Sequence, residues 1–396
     1  MASCRMSILA QVEELLTEPV EKAVARERDT FTALLQPTTG GVVLFGAGRL
    51  GRLCARALRR GGVPLRAFCD RNPALWGTVM EGETVIDPGE AAARFGADSL
   101  FVVAVWTGTA RETMVERLAW LRAQGCRHVT TYAPLVWAHG QAETPFHAFD
   151  LPSRVLAQAD SIRRLARLLA DDASLRVLAA ALQQRLWGEF SALRPSPDQY
   201  FPSDLVTLDQ AEVVVDGGAY DGDTLEAFLE RSDGRVLCYH AFEPDPANMV
   251  RLRERVDRLP ATLKARIHAH PLALHGETAD LAFASGGATT SHVGQAGRDL
   301  VSARRLDDVI AATERVTFLK LDVEGAEASA LRGAGRILTK DRPLTAVCVY
   351  HAPTDLWTLP LLVHAAMPEA RLHLRQHGFD GWETVCYAVP PERQRS

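Results

Sequence analysis

Asp216, Gly218 and Gly222 lie in Val213-Val214-Val215-Asp216-Gly217-Gly218-Ala219-Tyr220-Asp221-Gly222-Asp223-Thr224, an apolar run that ends on a carboxylate and breaks into glycine. The pattern predicts a buried strand, a glycine turn and a helix that starts with Leu225, Phe228 and Leu229 at helical spacing. Such a turn lets the backbone approach a ligand closely, with the free N–H groups of the helix start facing it. A second carboxylate, Glu243, closes the next apolar run in Ala241-Phe242-Glu243-Pro244-Asp245-Pro246. A carboxylate at that place suits the two hydroxyls of a ribose. The chain has no GxxxxGK[ST], which argues against a kinase or ATPase. A nucleoside ligand without a pyrophosphate is implied, and S-adenosylmethionine (SAM) meets that description.

The elements that position these residues are strands alternating with helices. From Asp216 onward the expected strands are 235–243, 265–274, a short one at 281–283, 316–322 and 344–351, with helices at 246–259, from 305, from 328 and at 356–366. Two closing strands, 371–377 and 383–389, have no helical stretch between them, so they must pair antiparallel. The expected fold is α/β, with a seven-stranded, mostly parallel Rossmann-like sheet whose last strand is antiparallel. Upstream, Val42-Val43-Leu44-Phe45 leads into Gly46-Ala47-Gly48-Arg49-Leu50-Gly51, a GxGxxG that opens a helix, and Asp70 closes the following strand at the ribose-binding offset. This predicts a small Rossmann-like domain over 40–136, with a nucleotide, a nucleotide sugar, NAD or no ligand at Gly46, Gly48, Gly51 and Asp70. The remaining divisions are an N-terminal helix over 1–39, a helical linker and lid over 137–205, and the larger sheet domain over 206–396. In the linker, the proline-rich loop is either an inert connection or a lid whose Tyr200 and Phe201 cover the cofactor.

Hydrophobic residues are 47% and charged residues 23% of the 396, an ordinary globular balance for two or more domains. A net charge of -5 gives no broad basic surface for nucleic acid. Seven cysteines form no CxxC pair, which reads as reduced, buried thiols and not as a disulfide frame or zinc site. Glu13 and Glu14 interrupt any signal-peptide core, and no apolar run is long enough for a membrane, so the expected location is cytoplasmic, with no membrane partner.

The stretches VDGGAYDGDT from Val215 to Thr224, FEPDP at 242–246, RRLDDV at 304–309, FLKLDVEGAE at 318–327 and YHAPTDLW at 350–357 resemble the FkbM-like family of SAM-dependent methyltransferases. The ending from Arg371 to Tyr387 is similar as well, so the resemblance covers most of 198–390. It implies a class I fold and methyl transfer, usually to a hydroxyl on a sugar, glycan or secondary metabolite. On that footing the cofactor set is Asp216, Gly218, Ala219, Tyr220, Gly222, Asp223, Thr224, Glu243, Pro244, Ala273 and Ser291. Asp223 and Thr224 could equally cap their helix. A hydroxyl acceptor must lose its proton to a nearby base. His351 or Asp322 is expected to take it, because the ordinary pKa of histidine suits that task near neutrality; the bland alternative is a hydrogen bond from His351 to its loop. Lys320 and Glu324 complete the catalytic set, although Lys320 could serve only in an ion pair. Asp322, Glu324 and Glu327 could hold magnesium, or the two glutamates could sit at a helix start; no metal ligands are assigned. The partner is a small-molecule or carbohydrate acceptor, a homo-oligomer is admitted, and nitrogen stays open as the acceptor atom. The alternative functions are an NAD(P)-dependent oxidoreductase working through the first GxGxxG, and a non-catalytic protein that binds SAM or a nucleotide.

Overall fold

The computed structural model describes residues 2–108, 111–191, 193–208, 211–284, 292–293 and 299–394. In the N-terminal unit the strands are β1 (Val42–Phe45), β2 (Leu65–Cys69), β3 (Val79–Met80), β4 (Glu83–Ile86), β5 (Leu100–Val103) and β6 (His128–Thr131), and they lie in the order β3-β4-β2-β1-β5-β6. Every residue of β1 and β5 is buried. Continuous apolar strands of this kind suit a parallel sheet covered on both faces. The chain leaves β1 between its two neighbours, β2 and β5, so a crevice opens beyond the carboxyl end of β1, where Gly46 begins the turn.

The second unit repeats the plan on a larger scale. Its strands are β7 (Glu212–Gly217), β8 (Val236–Phe242), β9 (Ile267–His270), β10 (Ala273–Leu274), β11 (Ala279–Ala284), β12 (His292–Val293), β13 (Asp299–Arg304), β14 (Phe318–Leu321), β15 (Leu344–Cys348), β16 (Arg371–Gln376) and β17 (Thr384–Val389). Seven of them form one sheet in the order β16-β17-β15-β14-β7-β8-β9. Only β17 runs antiparallel to its neighbours, as the short connection after β16 requires. This is a Rossmann-like sheet with an antiparallel strand inserted next to its edge, and its switch point lies between β7 and β14.

Several elements depart from the expected layout. The N-terminal helix is two helices, Ala2–Leu16 and Val20–Leu35, because Pro19 lacks an N–H and disfavours helix in the residue before it. The expected strand over 265–274 breaks at Pro271; β10 leaves for a separate four-stranded sheet, β10-β13-β11-β12, that the sequence did not suggest. The β3–β4 hairpin and the helix Pro88–Phe95 were also unexpected, although Asp87 caps that helix through Gly89 and Glu90 N–H. Among the described residues no helix is long and apolar enough to cross a membrane.

The connecting helices are fastened to the edge of the large sheet by Asp171. Its Oδ1 accepts the Ser174 N–H at 2.8 Å, capping the helix Asp172–Trp187. Its Oδ2 meets His373 Nδ1 and Arg375, each at 2.8 Å, on strand β16. Burial disfavours the Asp171 charge, but the bonds from His373, Arg375 and Ser174 outweigh it and hold the carboxyl well below its usual range. Asp171→Ala should therefore cost about 2 kcal/mol in urea unfolding near neutral pH. Because the folded pKa is depressed, this contribution is present above the unfolded value of about 4 and fades as pH falls further. A variant as stable as the parent at neutral pH would contradict the clamp.

Candidate active site

Pairing of β14 with β7 sets Lys320 opposite Asp216. Lys320 Nζ lies 2.9 Å from Asp216 Oδ1 and donates to the Gly218 carbonyl at 2.6 Å. Tyr239 donates to the other Asp216 oxygen at 2.8 Å. Burial opposes the charge on Lys320, but Asp216 and then Asp322 overcome it, so the ammonium stays protonated. Gly218 has a φ of 77°, and a Cβ there would meet the Asp322 carbonyl oxygen at 1.8 Å. Both the dihedral and the space demand glycine.

This turn forms one side of a cleft of about 240 Å³. Gly218, Tyr220, Asp223, Thr224, Glu243, Pro244 and Ala273 line it, and Lys320, Asp322 and Glu324 face them. Asp216, Ala219 and Gly222 are not on its lining and support the turn from behind; Ser291 lies outside the described residues. Glu243 is 5% exposed and accepts N–H groups from Tyr220 at 2.9 Å and Asp245 at 2.8 Å. Burial raises its pKa above the ordinary carboxylate value.

The opposite wall contains residues that the sequence did not single out as wall-forming. Tyr200 donates to Asp322 Oδ2 at 2.7 Å, and Gln199 and Tyr350 donate to Glu383 Oε2 at 2.7 and 2.9 Å. Tyr200 and Phe201 were expected to lie over the pocket; Gln199 and Tyr200 line it, whereas Phe201 packs inward against Phe228 and Phe318. Tyr350 opens the YHAPTDLW stretch and Glu383 precedes the last strand, but nothing local to either marks it as facing the cleft.

His351 is only 4% exposed and sits among three carboxylates. Its Nδ1 lies 2.9 Å from Glu327 Oε1, and its Nε2 lies 3.5 Å from Asp322 Oδ1 and 3.6 Å from Glu324 Oε2. Nε2 has no hydrogen-bond partner among the described residues. Burial works against protonation of the ring, but Glu327, Asp322 and Glu324 prevail and push its pKa up to about 10. The expectation that His351 keeps an ordinary histidine pKa is not met, because the surrounding carboxylates favour the protonated ring. Glu324, held at a φ of 52°, moves the other way for a carboxylate, since burial lifts it to about 8 despite the attraction of His351. Asp322, Glu327 and His351 place ligand atoms within 4.8 Å of one another, close enough for a cation. Glu327 already accepts the N–H groups of Val323 and Gly325, so it is largely committed to the helix start.

A second cleft, of about 510 Å³, lies between the two units. Gly46, Gly48, Arg49 and Asp70 line it from the N-terminal side, and His351, Trp382, Glu324, Tyr350 and Glu383 from the other. The last three line both clefts. Gly51 is behind the turn, where a Cβ would meet the Gly46 carbonyl oxygen at 2.0 Å. The Asp70 oxygens accept the Ala47 and Asn72 N–H groups, each at 2.8 Å, so this carboxylate already braces the turn.

Residues 216–380 match the family described as the methyltransferase FkbM domain. The 2-O-methyltransferase NoeI of Sinorhizobium fredii (strain NBRC 101917 / NGR234) is 29% identical over 187 residues, which are 42% of this chain and 76% of that protein. The crystal structure of Methyltransferase FkbM from Methylobacillus flagellatus KT aligns with 98% of this chain and 100% of its own, at a TM-score of 0.75 and 24% identity. That likeness is one of fold, and it includes the N-terminal unit. Fold and family together define a Rossmann-like methyltransferase, and within that class the findings support an FkbM-like enzyme, as the sequence resemblance implied. Gly218→Ala should cost on the order of 3 kcal/mol in urea unfolding. An unchanged midpoint would contradict the close approach of the turn to Asp322.

Proposed function

We propose that this methyltransferase uses SAM to methylate a hydroxyl on a sugar, glycan or secondary metabolite. The observation that carries the proposal is the wall of Glu324, Tyr350 and Glu383 that separates, and is common to, the two clefts. The Gly218 turn would hold the methionine end of SAM, Glu243 its ribose, and Ala273 the adenine side. The cleft between the units would hold the acceptor, with the glycine turn at Gly46 contributing to its far side. SAM supplies an electrophilic methyl group, which the acceptor oxygen displaces in line as the carbon–sulfur bond breaks. Holding the two reactants in line contributes roughly 7–11 kcal/mol in favourable cases. The name of NoeI, a 2-O-methyltransferase, supports oxygen as the acceptor atom.

Of the candidate bases, Glu324 fits best. Asp322 is held below its ordinary pKa: burial pushes upward, but Lys320, His351 and the Tyr200 hydrogen bond outweigh it. That makes Asp322 a weak proton acceptor, and His351 already carries a proton near pH 7. Glu324 faces both clefts and has its pKa raised to about 8. It would take the hydroxyl proton, while His351, fixed by Glu327, keeps Glu324 and Asp322 in place electrostatically. Lys320 would serve as a positioning residue for the turn.

The test uses the full chain, isotopically labelled SAM and a panel of polyhydroxylated acceptors. Since the base must be deprotonated, kcat/KM should rise with pH through about 8. Glu324→Gln should lower the rate by about 10²–10⁴ and remove that limb of the profile. A limb that persists in this variant would take the role of base away from Glu324. Label transferred to amines and to none of the hydroxyl compounds would refute O-methylation.

A further inference from the structure

A cluster of different chemistry lies outside both clefts. Cys238 and His240 alternate on β8 and so project from the same face of the sheet. Glu314, in the segment before β14, reaches the same point: His240 Nε2 is 3.2 Å from Cys238 Sγ and 3.2 Å from Glu314 Oε1. The other ring nitrogen, Nδ1, is 3.1 Å from His270 Nε2 on β9. The His268 ring is stacked on His240 at 5.2 Å. The thiol, imidazole and carboxylate ligand atoms all lie within 4.8 Å of one another.

We propose that Cys238, His240 and Glu314 form a binding site for a divalent cation of the zinc class. Thiolate, imidazole and carboxylate together are the donor set that such ions select. With metal–ligand distances of about 2.0–2.3 Å, neighbouring donors around a tetrahedral ion stand about 3.4–3.6 Å apart. The two 3.2 Å separations need to open by only a few tenths of an ångström. When His240 Nδ1–H is donated to His270, the Nε2 lone pair turns toward the Glu314 carboxylate. Two acceptors then face each other, an arrangement that a cation between them relieves. A bond from the far ring nitrogen is also the usual way a metal-binding histidine is oriented. His240 is the inner ligand, with its side chain 10% exposed, whereas that of Glu314 is 28% exposed and gives the ion a route in. On binding, the Cys238 thiol loses its proton to solvent, and water completes the coordination. The site is about 10 Å along β8 from Glu243, so the ion would clip the segment before β14 to β8 and would not touch the methyl-transfer cleft. The absence of a CxxC pair excludes only paired cysteines; here the partners of Cys238 come from another segment.

The test is titration of the chelator-treated full chain with Co2+ and then Zn2+. A thiolate-to-cobalt charge-transfer band should appear in the near ultraviolet, saturate at a single equivalent and disappear as Zn2+ displaces Co2+. Zn2+ should also raise Tm. Cys238→Ser should abolish the band and weaken Zn2+ binding by about tenfold or more. Glu314→Gln, at a partly exposed position, should keep the band and bind about tenfold more weakly. No band in the parent chain, a band that survives Cys238→Ser, or unchanged affinity in Glu314→Gln would overturn the proposal. The Asp322–Glu327–His351 group contains no sulfur, so an ion bound there gives no such band and does not affect the outcome.

Discussion

The ion pair between Lys320 and Asp216 constrains everything else at the active site. The two side chains are 2% and 0% exposed, and they bridge β14 and β7 at the switch point of the sheet. A buried pair of this kind need not add net stability, yet losing one partner strands a charge at a cost of about 3–5 kcal/mol. What the pair specifies is geometry. Lys320 holds the Gly218 carbonyl, which fixes the turn; the turn approaches Asp322 so closely that only glycine fits. Asp322, two residues beyond Lys320, then stands where Tyr200 can donate to it, and this anchors the proline-rich loop over the cleft. One bond between neighbouring strands thus places the floor, one wall and part of the cover.

A second constraint joins the units. Asp380 accepts the Met114 N–H at 2.8 Å through its carboxylate and the Trp106 indole N–H at 3.0 Å through its carbonyl. Arg117 lies 3.5 Å from the same carboxylate, and both side chains are almost completely buried. Trp106 and Trp382 meet at 5.0 Å beside these bonds. The two Rossmann-like sheets consequently present their switch points to one shared cleft, Gly46 on one side and Glu324 on the other. In both units the ligand-facing turn follows the strand between whose neighbours the sheet reverses, the position where an α/β sheet leaves a crevice.

Much of this was legible in the sequence because it is local. Glycine spacing after an apolar run fixed the position of both turns, and the missing helix between the last two strands dictated the antiparallel β17. What the sequence concealed depends on distance along the chain. Glu383 and Tyr350 face the cleft only once β15 and β17 are paired. His351 could be placed at a strand end, but its protonation follows from three carboxylates that only the fold assembles. Cys238 and Glu314 are separated by several elements and meet across the sheet. The split of the N-terminal helix was readable at Pro19.

The most direct measurement is isothermal calorimetry of the full chain with SAM, comparing the parent with Glu243→Ala. The account predicts saturable binding to the parent. In the variant it predicts affinity lower by about tenfold or more, the cost of losing a hydrogen bond to a charged group, with the fold intact by circular dichroism. Binding of SAM that Glu243→Ala leaves unchanged, or no binding to the parent at all, would contradict the placement of SAM in the cleft beside Gly218.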